Sequence, residues 1–169
     1  MTKAFNFSRC LRLGQAGAEW VARVLESVGL GPVSLTENEQ QRGVDGECAA
    51  LGKIEIKADF HTNLPNVFLE ISVSGQPGCI FTSRADYLVY AFPLEGLIYI
   101  FSLPAIQWWL ARNLAALTKA GRIKVIHSRN HTREWTAEGV PVPRDELLRE
   151  LGGQRIESDI EFTEEVNNE

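Results

Sequence analysis

Between Gly43 and Leu103 the chain carries five closely spaced runs of branched and aromatic residues, and strand signals at that density commit it to a sheet. Two lie in "GVDGECAALGKIEIKADF", where a turn near Ala49 to Gly52 joins short strands, the second alternating Ile54 and Ile56 against Glu55 and Lys57. "VFLEISVSG", "DYLVYAFP" and "LIYIFSL" follow, and Val33 with Leu35 marks a further short strand. Helical patterns flank them. Leu13, Trp20, Val21, Val24, Leu25 and Val28 recur at three and four until "GLGP" stops the helix, and "PAIQWWLARNLAALTKAG" has Pro104 in its first turn and a glycine stop. Thr82 or Ser83 is expected to cap one helical turn through Ala85, "RIKVIHS" to add a last strand, and "PRDELLREL" to form a closing helix. This order predicts an α/β or α+β domain, a mixed sheet packed on helices.

With 169 residues, 44% of them hydrophobic, the chain can bury one sizeable core without disulfides or a structural metal. Cys10, Cys48 and Cys79 are odd in number and lack CxxC spacing, which points to a reducing compartment. The start "MTKAFNFSRC" has no signal-peptide pattern, and no apolar run approaches the ~20 residues that span a bilayer. A cytoplasmic protein with no membrane partner is the expectation. No GxGxxG, Walker or GxSxG motif occurs, and the histidines lack zinc-ligand spacing.

The net charge of -5 is unevenly placed. From Arg155 onward there is one base against six acids, so residues 155–169 read as an acidic tail, and residues 1–154 carry 16 of each sign. Within that body no acid lies between Glu95 and Glu134, whereas Arg112, Lys119, Arg122, Lys124, Arg129 and Arg133 do. Such a stretch can contact a phosphate backbone, or it can be scattered surface bases. Of the adjacent Trp108 and Trp109, which diverge by 100° on a helix, at least one is expected in the core.

In a strand Glu55 and Lys57 project from one side. If the hairpin turn centres on Ala50, positions summing to 100 face each other and Asp45 lies opposite Glu55, with Cβ atoms roughly 4.5–5.5 Å apart. Opposed like charges call for a cation. Two hard oxygen ligands with open positions suit Mg²⁺, which would activate water and polarise a phosphoryl group while a nearby ammonium offsets transition-state charge. A plainer reading stands beside it, in which Asp45 ends a turn and Glu55 and Lys57 line a wet sheet face. Glu70, out of step with Val67, Leu69 and Ile71, either shares the polar face of the site or meets water.

At Asp45, Glu55 and Lys57 the sequence resembles the PD-(D/E)XK nuclease superfamily, with Val44 where the family's name has proline. "LGQAGAEWVARVLESVG" is similar to the family's opening helix, and "NVFLEIS", "TSRADYLVYAF" and "GVPVPRDELL" are similar to later segments of small phage-type and resolvase-like members. The resemblance implies a restriction-endonuclease-like fold over residues 1–154 and a metal-dependent DNA endonuclease. It assigns Asp45 and Glu55 to metal binding, Lys57 to catalysis and Glu19 to helping hold the metal. The cofactor implied is Mg²⁺, with Mn²⁺ substituting, and the partner is DNA; a homodimer is compatible. By helical projection alone Glu19 is a solvent-facing charge near Arg23 at i+4. The alternative function is a catalytically silent module of the same fold that binds DNA or protein.

Overall fold

The computed structural model describes residues 7–36, 43–129 and 134–163. It opens on helix α1, Phe7–Ser27, whose Trp20, Val21, Val24 and Leu25 are fully buried on one side, as the period of three and four requires. Gly17 lets this helix lie close on the sheet, because a Cβ there would come within 2.6 Å of the Ala58 Cβ.

The first sheet is mixed. Its order is β1 (Val33–Leu35), β2 (Gly46–Cys48), β3 (Gly52–Ala58), β6 (Tyr87–Phe92), β7 (Leu97–Ser102), β10 (Gln154–Glu157), with β3 and β6 parallel and all other neighbours antiparallel. The crossover from β3 to β6 carries β4 (Asn66–Val73), β5 (Gln76–Pro77) and a single helical turn α2 (Cys79–Thr82). Helix α3 (Leu103–Lys119) starts where the Ser102 hydroxyl accepts a hydrogen bond from Ala105 N at 3.4 Å, and α4 spans Arg144–Leu151. With four helices and two sheets among the described residues, the chain is an α+β protein.

The second, antiparallel sheet, in the order β5, β4, β9 (Glu134–Pro143), β8 (Lys124–Arg129), was not expected as a separate layer. Pro141 and Pro143 obscure β9, since proline ordinarily argues against a strand. Here both lie beyond the end of β8, where β9 has β4 alone as a neighbour. At the Phe68–Pro141 pair the missing proline N–H costs nothing, and Phe68 N donates to Tyr90 Oη at 3.3 Å.

The sheets and helices make two apolar layers. On one face Ile54, Ile56, Val89, Ala91, Ile98 and Ile100 pack on α1; on the other Leu88, Tyr90, Phe92, Tyr99 and Phe101 meet the second sheet, α3 and α4. Strands β6 and β7 are therefore covered on both faces and read as continuous apolar runs.

Two expectations are corrected. The single helical turn ends at Thr82, with Ser83 as its C-cap, instead of starting there. The expected tail from Arg155 is joined to the body: β10 pairs with β7, Trp20 Nε1 donates to Ile160 O at 2.8 Å, and Phe162 packs on Phe60 with ring centroids 5.1 Å apart. Ile156, Ile160 and Phe162 of this segment pack against the α1 side, despite the acidic composition. No helix among the described residues is long and apolar enough to cross a membrane.

Candidate active site

The hairpin takes the register that places Asp45 beside Glu55. Gly46 pairs with Ile54, Glu47 with Lys53 and Cys48 with Gly52. One step beyond the ladder, Asp45 N donates to Ile54 O at 2.9 Å, and the Asp45 carboxylate Oδ2 accepts from Ile56 N at 2.6 Å. Its side chain therefore satisfies the backbone of β3 where β2 no longer does, which fixes one acid at the flank of Glu55.

Because β3 and β6 are parallel, Glu55 and Lys57 share the face of Leu88 and Tyr90, under the crossover. Glu55 is 3% exposed, and its Oε1 lies 3.2 Å from Lys57 Nζ, while Oε2 is buried without a hydrogen-bond partner. Burial, helped by the Asp45 charge, raises the Glu55 carboxyl above its ordinary range; Lys57 and the Ser83 hydroxyl oppose this without reversing it. The Lys57 side chain is 39% exposed. Burial acts to lower its pKa, but Cys79, Glu55, Glu70 and Asp45 outweigh that and hold it above the ordinary lysine value. The Cys79 thiol is itself pushed up to about 12 by burial, so near neutral pH the carboxylates keep Lys57 charged.

Three further residues complete the cluster. Glu70, brought in by β4 ahead of a bulge between Glu70 and Ser72, accepts from Cys79 N at 3.3 Å and faces Lys57. Ser83 donates its hydroxyl proton to Gly43 O and accepts from Ala85 N at 3.2 Å, tying the segment before Asp45 to the end of α2. Gly43 has φ +60, and a Cβ there would lie 2.7 Å from the Ser83 Cα, so only glycine allows this clasp. By sequence alone Glu70 stands between two readings, Ser83 is a helix cap and Cys79 a thiol. Their convergence depends on the crossover, for which no local pattern exists.

Glu19 is not part of this cluster. It is exposed on α1, which covers the opposite face of the first sheet, and no hydrogen bond or ion pair links it to Asp45, Glu55 or Lys57 among the described residues. The basic residues do not form one uniform face either. Arg112 and Lys119 are exposed on α3, and Lys124 is exposed on β8, an edge strand. Arg122 instead turns inward, 3.7 Å from Glu146 and donating to Pro141 O at 3.3 Å. Arg129 ends β8, whereas Arg133 lies outside the described residues.

Among the described residues no group of three or more His, Cys, Asp or Glu side chains is arranged to hold a metal ion. Asp45 and Glu55 are the two acids side by side on the hairpin: Asp45 Oδ2 accepts from Ile56 N, and Glu55 Oε2 is buried without a hydrogen-bond partner. No protein-family model matches the chain, and no curated protein matches it.

Proposed function

We propose that this chain is a metal-dependent DNA endonuclease in which Asp45 and Glu55 hold the cation and Lys57 acts on the scissile phosphate. The observation that carries the reading is the unpartnered, buried Glu55 Oε2 beside a second carboxylate and an ammonium. A buried carboxylate oxygen without a partner is costly, and a divalent cation is a partner of the right charge and hardness. Mg²⁺ fits a two-acid site because it retains several waters and takes phosphate oxygens as further ligands. When bound it would lower the pKa of a water and polarise the phosphoryl group.

The protein's own groups then have distinct tasks. Asp45, anchored on Ile56 N, sets the position of its carboxylate from the backbone of β3. Glu55 binds a cation as the carboxylate, and its raised pKa makes binding weaken as pH falls. Lys57, held charged by its neighbours, cannot serve as a general base; its ammonium donates hydrogen bonds to a phosphate oxygen and offsets charge that develops during attack. The charge of Glu70 adds to the field that keeps Lys57 protonated.

The test is incubation of the purified protein with plasmid, branched and single-stranded DNA in Mg²⁺ or Mn²⁺, against an EDTA control. Cleavage abolished by EDTA is the expected result, and intact DNA under every condition overturns it. One observation favours a second reading: the Lys57–Glu55 contact already supplies Glu55 with a cation. A module that binds DNA without cutting it would show affinity for the same DNA with no metal-dependent products.

A further inference from the structure

We infer that the outer face of α3 is a stacking platform for an unpaired nucleobase, with Trp108 as the platform and Arg112 and Lys119 as phosphate contacts. The choice of DNA as the polymer rests on the nuclease reading; the platform itself rests on α3.

Trp108 is 60% exposed, whereas its neighbour Trp109 is 7% exposed and belongs to the core. A large indole left in water on a well-packed helix is unusual, and its surroundings indicate what it takes. The Arg112 guanidinium lies over the Trp108 ring at 4.5 Å from its centroid, which steadies the indole from one side and leaves the other side for a planar partner. Arg112, Ala115 and Lys119 continue the Trp108 row along the helix at spacings of four, three and four, so two cations and a small residue share its face. Arg112, Ala115 and Lys119 are all exposed.

Charge selects the occupant. Helix α3 contains no acid, and none occurs anywhere between Glu95 and Glu134. A flat apolar ring among cations and alanines suits a base with its flanking phosphates better than an apolar protein surface, which would need a wider hydrophobic rim. Bases within a duplex are covered by their neighbours and cannot stack on a side chain. The platform therefore selects DNA with unpaired nucleotides, such as single strands, flaps or branch points.

Its position links it to the candidate active site. Gln107, adjacent to Trp108, donates from Nε2 to Ile80 O at 2.9 Å, joining α3 to α2. That same turn of helix holds Cys79 against Glu70 and leads into Ser83. Phe81, the exposed aromatic of α2, lies on this bridge.

The experiment measures binding of oligo(dT) and of duplex DNA in Ca²⁺, by intrinsic fluorescence and by anisotropy of labelled DNA, for wild type, Trp108→Ala and Trp108→Phe. Trp20 and Trp109 are buried and Trp135 on β9 is only partly exposed, so the quenching that Trp108→Ala removes is the part that belongs to the exposed indole. The expected result is that Trp108→Ala loses most of the quenching and binds oligo(dT) about 10-fold more weakly, that Trp108→Phe keeps most of the affinity, and that duplex affinity is unchanged. Undiminished oligo(dT) binding by Trp108→Ala, or an equal loss on duplex, overturns the platform. So does a dimer that becomes monomeric on Trp108→Ala while DNA affinity stays constant, since a second copy would then cover the ring. The readout requires no cleavage, so failure to cut DNA sinks the nuclease reading alone.

Discussion

The Arg144–Glu95 and Lys57–Glu55 pairs are built to opposite standards. Arg144 and Glu95 meet at 2.7 Å and 3.1 Å through both nitrogens and both oxygens, Glu95 Oε1 also accepts from Asn63 N, and Arg144 stacks on Phe92 at 3.7 Å while donating to Leu64 O. Only Arg144 Nε lacks a partner. Lys57 and Glu55 share a single 3.2 Å contact, and Glu55 Oε2 has none. The hydrogen bonds from Arg144 hold the Glu95 carboxyl below its ordinary range, whereas burial lifts that of Glu55 above it. The bidentate pair clamps the loop before β4 to the start of α4. The single-contact pair leaves a buried carboxylate oxygen poised, on the proposed reading, for a cation.

The largest expected effects test that poise. Glu55→Gln removes the anion a cation needs and should slow DNA cleavage by about 10³-fold. Lys57→Ala should slow it by ~10²-fold or more while Mn²⁺ binding, followed by calorimetry, is largely retained. Asp45→Asn should weaken both. Equal Mn²⁺ affinity in the Asp45 and Lys57 variants would remove Asp45 from the metal site.

The bidentate pair should fail differently. Arg144→Ala leaves Glu95 half-enclosed and strips Phe92 of its cover, so urea denaturation should show a loss of about 3 kcal/mol. A loss no larger than that of an exposed ion pair, below about 1 kcal/mol, would erase the distinction between the two sites.

Opposite pKa shifts give opposite pH slopes. Glu95, lowered in the fold, contributes stability above its unfolded pKa near 4.5 and loses it as pH falls through the folded value. Glu55, raised in the fold, contributes below that unfolded value and loses its contribution as pH rises through the folded one. Melting temperatures without metal should therefore show Glu55→Gln gaining on wild type as pH rises above about 4.5, and Glu95→Gln losing ground to wild type as pH rises toward 4.5 from below. Adding Mg²⁺ should stabilise wild type and not Glu55→Gln. Parallel pH profiles for the two variants would contradict the electrostatic contrast.

What the sequence disclosed follows the same division between local and long-range order. The hairpin register was legible because alternation and a short turn fix it locally, and with it the approach of Asp45 to Glu55 and Lys57. Glu70, Cys79 and Ser83 arrive through a crossover and a bulge, to which periodicity is blind. The second sheet was hidden by Pro141 and Pro143, and the attachment of Ile156, Ile160 and Phe162 by the acids around them. Glu19 was nominated by resemblance alone, while the apolar stripe of its own helix turns it away from the site.

The basic residues carry the comparison to its smallest effect. Arg122 resembles Arg144 in being engaged, through Glu146 and Pro141 O, whereas Lys124 is exposed on the edge strand β8. An engaged cation must leave its partners before it can displace counterions from DNA; an open one need not. The logarithm of duplex affinity should fall with log salt by about 0.9 for each neutralised phosphate. Lys124→Gln is expected to flatten the slope by nearly that amount, and Arg122→Gln by less. A salt titration of anisotropy in Ca²⁺, with wild type and both variants on the same duplex, decides it. Equal flattening would mean that Arg122 abandons Glu146 for phosphate, and an unchanged slope in both would return the segment to an ordinary solvated surface, leaving duplex DNA to bind elsewhere.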